Sequence, residues 1–339
     1  MSAEDKPARV ANIFDVARLA GVSHQTVSRV LNNLPNVRPA TRERVEQAIA
    51  QLRYSPSPAA RALVTRRTRT IGLVTPGVSD FGPTSIAMHF NLAARTARYS
   101  VETVTALDSD ATGIRWTIEA LLRQRVDAIV LIVVDAAVLE FIRTLELTIP
   151  LVAVAAGPRR GPHVVSIDQY RGARSAVRHL AELGYTRIHH LAGPATAPDA
   201  IERVRGWRDE LVAQRLEAPE LLQGDWTARS GYELGHEIEL GPATAAFTSN
   251  DQMAIGLLAA MRERETSVPE GLSVVGFDDI PEAGYLSPPL TTVRQDFAAL
   301  GALMMQKVLV AVEEPDSATE DTPLPTRLVV RQSTGPLAD

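Results

Sequence analysis

His24, Gln25, Ser28 and Arg29 bring an imidazole, an amide, a hydroxyl and a guanidinium to one side of a short segment. These groups donate and accept hydrogen bonds in the patterns that base edges present in a DNA major groove. Their spacing predicts a helix from His24 to about Leu31, with Val27, Val30 and Leu31 turned inward and Ser23 as its cap. Before it, Ile13, Val16, Ala17 and Ala20 recur at helical spacing, Asn12 stands at the cap, and Asp15 occupies the capping-box position. Gly21 supplies the left-handed conformation that a tight bend between two helices needs. Residues 12–37 therefore read as a helix-turn-helix, although a plain helical hairpin with a solvated polar face fits the same spacing.

Charge favours the first reading. Residues 1–70 hold twelve Lys and Arg against five Asp and Glu, a net of +7, so the remaining chain carries −12 within a total of −5. A basic head suits phosphate contacts, and an acidic body stays off DNA. Residues 39–53 predict a third amphipathic helix, with Pro39 in its first turn and Val45, Ile49 and Leu52 in one stripe. Pro56 and Pro58 then break the helix, Ala59–Val64 spans barely two turns, and Arg66, Arg67 and Arg69 follow. So short a helix is marginal alone and reads as a linker that folds when held by DNA or by a partner chain.

Beyond residue 70, β-branched runs alternate with helical patterns. The expected strands are 71–75, 128–133, 151–155, 164–168, 187–193, 245–249, 273–277 and 291–294; the expected helices include 85–97, 117–124, 169–183, 202–214, 251–263 and 298–312. Such alternation implies parallel sheets covered on both faces, and the length implies two lobes with a ligand beyond the carboxyl ends of the strands. The fold class expected is thus an all-α helix-turn-helix headpiece followed by an α/β two-lobed body. The boundaries expected are an N-terminal arm (1–11), a DNA-binding domain (12–56), a hinge and linker (57–69), and an effector and dimerisation domain (70–339). Its first lobe takes about 70–167 and 295–325, and its second about 168–294 and 326–335.

DVARLAGVSHQTVSRVLNN followed by TRERVEQAIAQLRYSPSPAARAL closely resembles the N-terminal domain of the LacI/GalR family of transcription regulators, almost without interruption over residues 12–75. The resemblance implies that His24, Gln25 and Arg29 read bases. It places Ser23, Thr26, Ser28 and Asn32 on backbone phosphates and Leu63 as a wedge in the minor groove. It extends, less tightly, through GPATAPDAIERVRGW, GDWTARSGY, TSNDQMAIG, SVVGFDD and PPLTTVRQDF. The implied body has the type I fold of periplasmic sugar-binding proteins. Arg203, Asn250, Asp278 and Gln295 stand at effector-contact positions, Trp226 and Phe297 are cleft walls, and Asp80 and Phe81 are added from the first lobe. Amide, carboxylate and guanidinium groups suit sugar hydroxyls, and an indole face suits a pyranose. Singly, these residues also fit a surface ion pair (Arg203), a cap (Asp278, Asp279) or core filling (Trp226). The chain departs from the family at Ala155, where several sugar-responsive members carry aspartate.

These features imply a homodimer on a pseudo-palindromic double-stranded operator, with helices 85–97 and 112–124 in its interface, released by a mono- or oligosaccharide. A family member needing a purine or phosphoprotein corepressor, or a sugar-binding protein with no regulatory role, are the alternatives. An enzyme is disfavoured. G-x-G-x-x-G, Walker A, H-E-x-x-H and G-x-S-x-G are absent, Asp278-Asp279 and His189-His190 are adjacent pairs whose side chains diverge, and neither a cofactor nor a metal is expected. Zero cysteines exclude disulfides and thiol catalysis. No run approaches the ~20 apolar residues of a membrane span, so a cytoplasmic, nucleoid-associated location is expected.

Overall fold

The computed structural model describes residues 11–31, 34–54, 67–106, 111–142, 144–157, 164–314 and 322–337. Asn32, the hinge segment Ala59–Val64 and its Leu63 lie outside the described residues. Two compact units are present, Met1–Thr68 and Arg69–Asp339.

The first unit holds α1 (Ile13–Ala20), α2 (His24–Leu31) and α3 (Pro39–Gln51). The Asn12 side chain accepts the Phe14 and Asp15 amides at 2.9 and 3.1 Å, and Asp15 accepts the Asn12 amide at 3.0 Å, which completes a capping box. Gly21 stops α1 at φ 64°, donating back to the carbonyls of Ala17 and Arg18. Ser23 then starts α2, its hydroxyl accepting the Thr26 amide at 3.2 Å. Val16, Ala17, Ala20, Val27, Val30, Val45 and Ala48 form the small core. The Arg42 guanidinium lies 3.5 Å from the carbonyls of Val30 and Leu34, at the negative end of α2.

The second unit has two sheets. The first contains β1 (Thr70–Pro76), β2 (Ser100–Ala106), β3 (Ala128–Ile132), β4 (Leu151–Val154) and β5 (Val164–Val165), all parallel, in the order β2-β1-β3-β4-β5. Alternate side chains serve opposite faces. Ile71, Leu73, Val130 and Ile132 join one core, whereas Val74, Ile129 and Leu131 join the other. Around it lie α4 (Phe81–Thr96), α5 (Ala111–Arg123) and α6 (Ala136–Ile142).

The second sheet contains β6 (Arg187–Ala192), β7 (Leu222–Gln223), β8 (Thr244–Thr248), β9 (Ser273–Asp278), β10 (Thr291–Arg294) and β11 (Arg327–Val329). Its order is β11-β10-β9-β8-β6-β7. The helices α7 (Gln169–Glu182), α8 (Pro198–Gln214), α9 (Ala228–Glu237) and α10 (Asp251–Glu263) accompany it. The chain then returns to the first lobe as α11 (Phe297–Glu313), whose Phe297, Leu300, Met304 and Val308 fill the core of the first sheet. A last crossing pairs Ile167 with Leu324 before β11 adds to the second sheet.

The fold class matches the expectation from sequence. Several details do not. β11 runs antiparallel to β10, an edge arrangement that otherwise parallel sheets accept. β2 was not among the expected strands, because Ser100, Glu102, Thr103 and Thr105 give this partly exposed edge strand little apolar signal. α4 begins at Phe81 and α8 at Pro198, each four residues ahead of expectation. The fifth strand is only two residues long, and Ile167 contributes an isolated bridge.

Candidate functional site

In the first unit His24, Gln25 and Arg29 are exposed on α2, while Thr26 and Ser28 are half-buried. The Phe14 ring packs against His24 at 5.2 Å and limits where the imidazole can point. Ser23 and Thr26 hydroxyls lie 3.0 Å apart, so the pair leaves one hydroxyl hydrogen for an outside acceptor. An exposed imidazole and amide in the first turn of α2, with the exposed Arg29 guanidinium in its last turn, form a surface suited to base edges.

In the second unit the carboxyl ends of β1, β3, β4, β8 and β9 open on a cleft of about 780 Å³, counted with its open mouth. All eight of the expected effector residues line it: Asp80, Phe81, Arg203, Trp226, Asn250, Asp278, Gln295 and Phe297. The early start of α4 sets Asp80 and Phe81 at its mouth. Phe81 meets Phe297 edge-on at 5.8 Å, which makes an aromatic wall on the first lobe. Trp226 stands on the other lobe at φ 76°, with its carbonyl accepting from Asn250 at 2.9 Å. Its indole lies over Gly193, where even a methyl group would come within 2.5 Å of the ring.

The floor is a closed polar ring. Arg203 is 3% exposed and donates to the Ser249 carbonyl and, at 3.0 Å, to the Gln169 side chain. The Gln169 amide donates to Gln295 at 2.8 Å, and Gln295 donates to Asp278 at 2.7 Å. Asp278 closes the circuit 3.6 Å from Arg203. Phe277 holds the guanidinium from one face at 3.9 Å and Trp226 lies 5.3 Å away. This is not the surface pairing that Arg203 alone could equally have signified.

Two consecutive positive φ values, 110° at Asp278 and 57° at Asp279, turn the adjacent carboxylates apart. Asp279 turns away to Arg294 and Arg331, the latter at 2.6 Å, and this ion triad pins the bend that aims Asp278 at the ring. Burial pushes the Asp278 carboxyl up to about 6, against the pull of Arg203 and Gln295. Burial also raises Asp80, with Asp225 adding to it, and raises Asp199 against the pull of Arg203 and the Ala156 amide, although the cleft leaves 41% of the Asp199 side chain accessible. Asp251, buried behind the floor, accepts from Thr292 at 2.6 Å and from the Ile280 amide at 2.9 Å.

Sequence reasoning missed Gln169, Asp199 and the Asp279 triad. Pro198 at the first turn of α8, followed by an acid, could have signalled Asp199. Gln169 meets Gln295 from 126 positions away and carries no local sign. Asn250 is partly committed as a cap, its oxygen accepting the Met253 amide at 2.9 Å. His190 is neutral: burial lowers it to about 3, and it stacks on Phe247 at 4.5 Å beneath the cleft.

Residues 12–57 match the family model for bacterial regulatory proteins of the lacI family, and residues 177–334 match that for a periplasmic binding protein-like domain. The lactose operon repressor of Klebsiella pneumoniae is 31% identical over 335 residues, 98% of this chain and 94% of that one. The chain belongs to the lacI family. It is a DNA-binding regulator of transcription, and its relatives are regulators rather than enzymes. The lac repressor dimer bound to operator and the anti-inducer ONPF superposes with a TM-score of 0.86 at 30% identity, over 96% of this chain and all of that chain. The complex of the transcriptional regulator CelR with cellobiose gives a TM-score of 0.70 at 29% identity, over 95% and 99% of the two chains. Among the described residues no helix is long and apolar enough to cross a membrane.

Proposed function

We propose that this lacI-family chain represses carbohydrate-utilisation genes and releases a pseudo-palindromic operator when a mono- or oligosaccharide enters the cleft. The observation that carries the reading is the polar ring of Arg203, Gln169, Gln295 and Asp278 at the floor of a cleft walled by Trp226, Phe81 and Phe297. Such a ring offers paired donors and acceptors to neighbouring hydroxyls, and the aromatic walls take the C–H face of a sugar. His24, Gln25 and Arg29 read bases, with Ser23, Thr26, Ser28 and Asn32 on phosphates and Leu63 in the minor groove. Two copies act on one operator, because one short recognition helix reads only a few base pairs. Met88, Leu92 and Trp116, exposed by 53, 54 and 62% on α4 and α5, support a dimer face there. The place of action is the bacterial cytoplasm, at the chromosome.

The test is a thermal-shift screen of saccharides and purines on the whole chain, since a ligand of the native state raises its melting temperature. The hits are then tested on operator fragments selected by the protein from a random DNA pool. A saccharide that stabilises the chain and releases the operator supports the reading. A purine that stabilises it and tightens operator binding replaces the inducer with a corepressor.

A further inference from the structure

The cleft is out of charge balance. Three carboxylates line it, Asp80, Asp199 and Asp278, and among the described residues Arg203 is the one cationic side chain that does. Arg203 is already engaged, 3.6 Å from Asp278 and 3.9 Å from Asp199, and it also holds Ser249 and Gln169. Asp80 stands across from them on the first lobe. It occupies the N-cap position of α4, where an aspartate ordinarily accepts an amide of the first turn, yet its side chain makes no capping hydrogen bond. Its acceptors are therefore left to the cleft.

Burial outweighs the help that a helix N-terminus gives a carboxylate, since Asp80 and Asp199 are both pushed above the ordinary range. A neutral ligand closing over these groups would desolvate them further and return no opposite charge. A ligand ammonium would return it, and from between the two lobes it would remove the repulsion that opposes their closure. A metal ion is a poorer fit, because no cluster of three or more Asp, Glu or His suited to a metal exists among the described residues. The aromatic walls and the polar ring favour an organic solute bearing hydroxyls.

We infer that the effector is an amino sugar, its hydroxyls on the ring of Arg203, Gln295 and Asp278 and its ammonium between Asp80 and Asp199. This rests on the reading of the cleft as a saccharide site. It adds the charge of the ligand and names Asp80 as the residue that selects for it.

The experiment is calorimetric titration of the full chain with matched sets at one and two rings. One-ring sets are glucosamine, glucose and N-acetylglucosamine, with the same three in the galacto series. The two-ring set is the glucosamine dimer of chitosan, cellobiose and diacetylchitobiose. In at least one set the free amine binds tenfold or more tightly than both the hydroxyl and the acetylated compound. Asp80→Asn, which keeps volume and removes charge, lowers the amine's affinity tenfold or more and moves the neutral sugar's far less. The wild-type comparison stands even if that variant fails to fold. A neutral or acetylated sugar that binds as well as its amine overturns the inference and leaves the saccharide reading in place. Binding of a purine with no saccharide bound overturns both, and failure of every compound in the sets overturns the inference.

Discussion

At the residue scale, the polar side chains on the cleft floor are held partly by one another and partly by residues that do not line the cleft. Asp278 is the clearest case, since Asp279, Arg294 and Arg331 fix its bend and Gln295 and Arg203 fix its carboxyl. Its native value near 6 lies above the ordinary 3.8, so the folded chain holds a proton between those values that the unfolded chain has lost. Stability therefore rises as pH falls through that window. Asp278 contributes about 1 kcal/mol between pH 7 and 5, and urea unfolding at constant ionic strength checks it, with Asp278→Asn losing that increment. Glu210 has the opposite sign: burial raises it, but hydrogen bonds from Arg178, Gln214 and Arg174 hold it at about 2, so its loss of stability falls at lower pH. On the DNA side, Arg29→Ala costs roughly 1–3 kcal/mol of discrimination at a single base position, measured as binding to operators varied one base pair at a time. A loss spread evenly over all sequences would assign Arg29 to phosphate. Trp226→Ala abolishes saccharide binding in calorimetry and leaves operator affinity unchanged, whereas loss of both would make the indole a core residue.

Helix starts and strand ends do the positioning at the scale of elements. Asn12 and Asp15 begin α1, Gly21 ends it, and Ser23 begins α2, all from local chemistry. Asn12→Ala removes both donors' partner and destabilises the headpiece by about 1 kcal/mol, read as a lower urea midpoint in the first unit. These devices were legible because caps, glycines and apolar spacing act within a few residues. So were β1, β3, β8 and β9, buried on both faces with an apolar run at the centre of each. β2 was not, since one wet face dilutes its pattern. The starts of α4 and α8 were placed late because Gly82-Pro83 and Pro198 read as helix breaks in sequence, although each lies within a first turn. In the site, the family resemblance brought out residues at strand ends. Gln169 and the Asp279 triad escaped, because long-range partners define them and sequence spacing carries no trace of those.

For the whole molecule, a basic reading head and an acidic two-lobed body are joined in one chain, and a switch needs the two to share free energy. On the function proposed, binding between the lobes favours one arrangement of the dimer, and linkage then requires operator and saccharide to weaken each other by the same factor. Leu92→Arg, on the exposed apolar face of α4, lowers the dimer fraction in sedimentation velocity and weakens operator binding with it; an unchanged dimer would place the interface elsewhere. Fluorescence anisotropy of a selected operator, titrated with the chain with and without a saturating saccharide that calorimetry shows to be bound, tests the switch itself. The expected result is a 5- to 150-fold weaker complex in the presence of the saccharide, matched by the operator's effect on saccharide affinity. Equal operator affinity with the cleft full and empty would contradict it.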